Sequence, residues 1–403
     1  MMTNEPTGPL KGLKVFDLTR VLAGPTCVQM LADLGADVIK IEKPGSGDDT
    51  RGFTPPLMPG TQESAYFIGA NRNKRSVTLD LAKPEGQAIA LDLIRSSDIL
   101  VENFKVGALA KYGLGYDQLH PRFPGLIYSS ITGFGQTGPY AARPGYDSLI
   151  QAMGGVMSLT GEPDGQPQKV GIPLADLFAG LYGCIGILAA LRHKEATGLG
   201  QQVDIGMLDT HVAWLANQGM NYLATGENPP RLGNQHPNIV PYQVFATADG
   251  HVVLSIGNDP TFERFCRNFG LDPLVADPRF TTNAARVQNR QLVTDTLAPV
   301  LQSHPTAWWV ERLEALSIAC GPINKLAEVF ADPQVQARGA VREMDHGSGA
   351  KVKVIANPVR LSETPADYRL PPPILGEHTD SVLRERLGLD EARLAQLRAA
   401  GVI

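Results

Sequence analysis

The sequence predicts an α/β protein in which a mostly parallel, helix-flanked sheet is joined to a smaller α+β domain. Two observations carry this prediction. Short apolar runs alternate with helical segments through the first 225 residues, as strands buried on both faces do when helices cross over between them. Beyond that point the segment TGENPPRLGNQHPN replaces periodicity with turn formers, and a hairpin signal follows at Asp249-Gly250. The large domain is therefore expected over residues 1–225 and the small one over 226–335.

Taken in order, LKVFDLT (13–19) is an apolar strand. Gly24-Pro25 opens a helix in which Val28, Leu31 and Leu34 recur at helical spacing, and Gly35 closes it. ADVIKIE supplies the second strand, residues 76–81 the third and DILVENF the fourth, with a helix over 85–97 between the last two. A short helix is expected near 107–111, and residues 125–135 read as a strand running into a glycine loop. A long helix over 174–193, a strand over 202–205 and one helix over 207–223 complete the large domain. In the small domain VFATADGHVVLSIG reads as a hairpin, and FERFCRNFG and residues 290–316 as helical. A helical piece, the strand KVKVIANPVRL, the strap PADYRLPPPILG and a terminal helix follow Pro322.

Composition narrows the function. Hydrophobic residues make up 43% and charged residues 19% of the 403, a globular composition. Lys and Arg number 36 against 41 Asp and Glu, and the net charge of −5 leaves no broad cationic footprint for nucleic acid or an anionic membrane. Cys27, Cys184, Cys266 and Cys320 are far apart with no CxxC pair, which points to a reducing compartment. The opening MMTNEPTGPLKG holds no signal-peptide core, and the apolar stretch LYGCIGILAALRHK is shorter than the ~20 residues that span a bilayer. The expectation is a cytoplasmic protein with no nucleic-acid or membrane partner.

Several chemistries lack their motifs. The first strand-to-helix turn is TRVLAGPT rather than GxGxxG, and GxxxxGK[ST], HExxH and GxSxG are all missing. None of the eight histidines belongs to a short ligand cluster, so no metal is expected. What remains is a group of acids beside glycine turns. Asp176 in KVGIPLADLFAG falls in the first turn of the long helix, where amides and the helix dipole favour an ionised carboxylate. Such a group is an oxygen nucleophile toward an activated acyl carbon, or simply a helix cap; Asp17, Asp147, Asp204 and Asp209 are comparable candidates. Ala175, Ala179, Gly180 and Gly183 make one side of that helix slim, for close packing or for a slender ligand. Gly133, Gly135 and Gly138 in TGFGQTGP are able to present amides to an oxyanion, or to make ordinary turns. Arg20, Lys43, Lys74, Arg75, Lys111 and Arg143 stand next to turns, where cations would hold phosphates if the strand-end loops converge.

Taken together, DLTRVLAGP, GADVIKIEKPGSGD, NRNKRS, VENF, TGFGQTGP, IPLADLFAG and PPILGEHT resemble a class III coenzyme A transferase over essentially the whole chain. The likeness is greatest to the branch acting on succinate and hydroxymethylglutarate, through PGYD and HPNIVPYQVF, and weaker to the branch acting on formyl-CoA and oxalate. The resemblance implies a Rossmann-like large domain, a small domain, a C-terminal segment (336–403) returning to the large one, and an interlocked homodimer. It makes Asp176 the nucleophile, with an aspartyl–acyl anhydride and an aspartyl–CoA thioester as intermediates. Coenzyme A and acyl-CoA enter as substrates, with no tightly bound cofactor. Its CoA contacts map onto Val21, Ala23, Lys43, Asn103, Phe104, Lys111 and, one residue out of place, Arg143, with Arg20, Lys74 and Arg75 as further cations. Lys43 and Lys111 stand where the oxalate branch has arginines, and Leu22 where it has glutamine. The small domain lacks that branch's glycine run, and His236, Asn238 and Tyr242 are expected to meet the distal end of the acyl group. A C4–C6 dicarboxylate such as succinate or glutarate is the expected substrate class. Two alternatives are a 2-methylacyl-CoA racemase, which needs a histidine where Tyr146 stands, and a CoA-binding protein without turnover.

Overall fold

The structure, a computed structural model, describes residues 7–403; the first six residues of the opening segment, 1–6, lie outside the described residues. Six strands form one parallel sheet: β1 (Lys14–Leu18), β2 (Asp37–Glu42), β3 (Lys74–Thr78), β4 (Ile99–Glu102), β5 (Ile127–Thr132) and β6 (Gln202–Gly206). Their order is β3-β2-β1-β4-β5-β6. Because side chains alternate along a strand, each strand feeds two buried faces. Val15, Val38, Val101, Ile127 and Ile131 pack beneath the helices Ala23–Asp33 and Leu174–Thr197. Phe16, Leu18, Ile39, Ile41, Leu100 and Tyr128 pack with the helix Pro84–Arg95 and the C-terminal helices Thr379–Leu387 and Glu391–Ala399. The winding reverses between β1 and β4, the place where sheets of this kind open a crevice at their carboxyl ends.

The chain divides into two compact units. The first takes in the chain up to Gly155, Val170–Leu215 and Gln336–Ile403, and the second takes in Val156–Lys169 and Ala216–Val335. The break after Leu215 falls before the expected boundary at 225, since the helix expected over 207–223 is two, Met207–Ala213 and Ala216–Thr225. Ala216 between them is left-handed at φ 47°, and Trp214 turns aside to stack on Phe178 with ring centroids 3.9 Å apart.

The long helix also differs from its sequence reading. Leu174–Thr197 has 24 residues and is long and apolar enough to cross a membrane by length and composition. One side of it packs closely on the helix Ala23–Asp33. A Cβ at Gly180 would lie 2.7 Å from the Ala23 carbonyl oxygen, and one at Gly183 would lie 3.1 Å from Cys27 Sγ. Gly180 and Gly183 serve that close crossing.

The second unit holds an antiparallel sheet of β7 (Tyr242–Ala246), β8 (His251–Ser255) and β9 (Ala319–Pro322) over a core that includes Phe245, Phe262, Phe265 and Trp309. In the first unit β10 (Val341–Asp345) and β11 (Lys351–Ile355) form a hairpin. Only the second of these strands is evident in the sequence, because VREMD buries Met344 alone.

Candidate active site

The ends of β1, β4 and β5 surround a cavity of about 160 Å³. Arg20 to Ala23 come from the turn after β1, Asn103 to Val106 from the turn after β4, and Ile131 to Gly133 from the end of β5. The loop segments Ala141 and Arg143–Tyr146 form another wall, and Asp176 and Met207 complete it. Arg20, Asp49 and Phe104 also line a neighbouring chamber of about 380 Å³ whose walls include Lys43, Ser46, Gly47 and Tyr112. The Arg20 guanidinium stands 4.9 Å from the centre of the Phe104 ring, at the division between the two.

Asp176 is the third residue of its helix, yet it caps nothing. Asp147 does that work from a neighbouring helix, its Oδ1 accepting the Ala175 N–H at 2.9 Å and its Oδ2 the Gln151 side-chain amide at 2.8 Å. Among the described residues no hydrogen bond or ion pair engages the Asp176 carboxylate. Burial pushes this carboxyl up and the Asp147 charge adds to the shift, to about 7. The expectation of a fully ionised group therefore fails for a reason of magnitude. A helix terminus contributes about 0.3–1 kcal/mol, less than one pKa unit, whereas burial shifts carboxyls by up to ~3–5 units.

The turn that faces Asp176 is fixed from below by buried charge. Val21 adopts φ 69°, a left-handed conformation that is costly for a β-branched residue. Its N–H donates to Asp48 Oδ1 at 3.2 Å, and Asp48 is paired with Lys40 at 2.9 Å, both side chains being 0% exposed. Lys40 Nζ also donates to the Thr19 carbonyl at 2.7 Å, and Lys74 Nζ donates to the Pro25 carbonyl at 3.1 Å. Both ends of the turn are thus tied to strand residues beneath it. Burial alone would raise Asp48, but Lys40 and the Thr50 hydrogen bonds outweigh it and bring the carboxyl down to about 2. Above the turn, Asn103 accepts the Arg20 N–H at 2.8 Å and donates to the Arg20 carbonyl at 2.6 Å, joining the ends of β1 and β4.

Arg20, Val21, Ala23, Asn103, Phe104, Arg143, Gly133 and Asp176, all anticipated in the sequence, come together at this cavity, and Lys43 lines the second chamber. Others do not. Lys74 and Arg75 lie within β3, which starts earlier than expected. Lys74 is fully buried 3.3 Å from Asp17, and Arg75 pairs with Asp37 at 2.8 Å and Glu385 at 2.6 Å, so neither is free for a phosphate. Lys111 lies outside both linings, its Nζ 4.6 Å from the centre of the Tyr112 ring. The Gly135 N–H is spent on Thr132 Oγ1 at 3.0 Å and the Gln136 N–H on the Asp204 carboxylate, which leaves no oxyanion role for that part of the loop. Gly138 lines neither chamber; Gly133 does reach the cavity, where a Cβ would strike the Gly145 Cα at 2.5 Å. His236 and Tyr242 belong to the second unit and meet each other edge to face with centroids 5.1 Å apart.

Sequence reasoning missed several contributors. Burial pushes the Tyr66 phenol up to about 12, with Asp176, Asp147 and Asp48 adding to the shift, so it stays protonated in the field of these carboxylates. Glu102 is carried by burial to about 7 and accepts the Phe104 N–H at 2.7 Å. His211 lies buried behind this region with both ring nitrogens unpartnered, its pKa lowered by burial against the pull of Asp147. Nothing in their sequence spacing marks these three. Among the described residues no three His, Cys, Asp or Glu side chains gather as metal ligands.

A doubly wound sheet with an unpaired, partly desolvated carboxyl at its switch point defines an α/β enzyme suited to acyl transfer. The chain belongs to CoA-transferase family III, whose sequence model matches residues 10–379. It is 48% identical to the succinate–glutarate CoA-transferase of Agrobacterium fabrum, across 95% of this chain and 98% of that protein. It is 41% identical to the human succinyl-CoA:glutarate CoA-transferase, across 98% of this chain and 90% of the relative. Among solved structures, a CAIB/BAIF family protein from Brucella suis superposes with a TM-score of 0.83 at 46% identity, covering 94% of this chain and all of that one.

Proposed function

We propose that this chain moves coenzyme A from succinyl-CoA to a C4–C6 dicarboxylate such as glutarate, with Asp176 as the covalent carrier. The carboxylate of Asp176, held without a hydrogen-bond partner in a cavity at the strand ends, carries the reading. An Asp176 oxygen attacks the thioester carbonyl and the C–S bond breaks, giving a mixed anhydride and CoA thiolate. The thiolate attacks the aspartyl carbonyl, succinate leaves, and an aspartyl–CoA thioester remains. The acceptor carboxylate attacks that thioester and expels the thiolate, which then takes the new acyl group and frees Asp176. Each step exchanges one activated acyl bond for another, so no nucleotide hydrolysis is needed. Val21, Leu22, Ile131 and Met207 supply apolar walls, which suits intermediates that water would destroy. In this reading the larger chamber beside Lys43 receives the nucleotide end of coenzyme A, and the working species is a cytoplasmic homodimer. Racemisation gains no support, since among the described residues no histidine lines the cavity.

Turnover of succinyl-CoA with labelled glutarate tests the proposal. Asp176→Asn is expected to lower kcat by at least ~10²-fold, the size of effect typical of groups acting on a transition state. Near-normal turnover in that variant would remove Asp176 from the chemistry.

A further inference from the structure

A dicarboxylate bound for this reaction has one carboxylate to react and a second to be recognised. Three cations line the Asp176 cavity: Arg20, Lys105 and Arg143. Arg20 is paired with Asp49 at 3.2 Å. Lys105 is exposed, and among the described residues no contact of its side chain to an aromatic ring or a carboxylate holds it in one place. Arg143 is exposed as well but differs in its contacts. Its guanidinium lies 4.5 Å from the centre of the Tyr140 ring and 5.3 Å from that of Phe134, two rings that meet edge to face. Among the described residues it has no carboxylate partner, so its charge is held in position and left uncompensated.

The backbone fixes it as well. Arg143 N–H donates to the Tyr140 carbonyl at 2.8 Å, closing a turn. Two residues on, Gly145 packs against Gly133 at the end of β5 so closely that neither tolerates a Cβ. Cation–π attraction to the rings uses none of the guanidinium N–H donors, which remain available for a forked hydrogen-bond pair with a carboxylate.

We propose that Arg143 selects the substrate by binding the distal carboxylate of the dicarboxylyl group whose other end reacts at Asp176. This rests on the acyl-transfer reading above and departs from the sequence expectation that Arg143 touches coenzyme A. It accounts for a fixed cation in the reaction cavity while the other chamber has its own in Lys43.

The test compares glutarate with valerate, the same chain length without the second carboxylate, at saturating succinyl-CoA. Valerate is followed as acceptor or, where turnover is too slow, as a competitive inhibitor of glutarate. Arg143→Gln is expected to raise the KM for glutarate about tenfold or more, the loss typical of a charge-assisted contact, and to change the valerate constant less than twofold. Arg143→Lys is expected to recover part of the glutarate preference, and calorimetric affinity for free coenzyme A to match the parent in both variants. The proposal is overturned if free coenzyme A binds more weakly, if both acids respond equally, or if Lys105→Met rather than Arg143→Gln abolishes the preference. A parent enzyme that transfers nothing from succinyl-CoA would instead refute the acyl-transfer reading itself.

Discussion

Asp176 is a charged group placed where charge is disfavoured, and its raised pKa has two measurable consequences. In the proposed role of nucleophile it must be ionised, so kcat/KM should climb as pH rises through about 7 and level off above it. Glu102 is carried to about 7 as well, so the limb must be assigned by substitution. It should persist in Glu102→Gln, and its loss there would move the titration to Glu102. The second consequence is for stability. A carboxyl whose folded pKa lies above its unfolded value leaves the native state holding the extra proton between about pH 4 and 7, so its contribution to stability falls as pH rises through that window. Asparagine mimics the neutral acid. Asp176→Asn should therefore exceed the parent's Tm by a wider margin at pH 8 than at pH 5, and a lower Tm at pH 8 would show that the carboxylate is stabilised after all. The sequence revealed this residue through its helix position and family motif, but not its state. That state is set by burial among groups such as Val21, Ile131 and Met207, and then by Asp147, none of them near in sequence.

The turn between β1 and its helix shows how elements beneath a site shape it. Lys40, Asp48 and Lys74 direct their polar atoms to the backbone: they bind the carbonyls of Thr19 and Pro25 and the N–H of Val21. Removing one member leaves an uncompensated buried ion, and Lys40→Met should cost about 3–5 kcal/mol in chemical denaturation. A loss below ~1 kcal/mol would mean that water reaches Asp48. Asp48→Asn should weaken its hold on left-handed Val21. Glycine adopts that conformation without strain, so the fall in kcat/KM caused by Asp48→Asn should be smaller in a Val21→Gly background than in the parent. Equal falls in both backgrounds would separate Asp48 from the shape of the turn. The strands themselves were legible, since VFDL, VIKIE and ILVE are apolar runs that only a doubly covered sheet buries. Lys74 and Arg75 were misread as turn residues because a strand edge is set by pairing with Val38 and Ile39, which local composition does not encode.

For the molecule as a whole, the first unit leaves Leu181 and Ile185 of the long helix exposed at 36% and 52%, together with Val212 at 52% and Trp214 at 45%. Apolar surface of this kind is a recognised mark of an association site. It supports the homodimer in the proposed function: sedimentation should give twice the chain mass, with Ile185→Asp shifting the protein toward monomer, and a fully active monomer would contradict it. The units were only partly legible. The texture change near Thr225 lies inside the second unit, the division after Leu215 coincides with left-handed Ala216, and the grouping of Val156–Lys169 with the second unit depends on contacts distant in sequence. The most direct measurement is to incubate the enzyme with succinyl-CoA and no acceptor, quench, digest, and map the covalent adduct by mass spectrometry. Coenzyme A in thioester linkage on the peptide bearing Asp176 is the expected result; an active enzyme that carries its adduct on another residue, or carries none, would contradict the account.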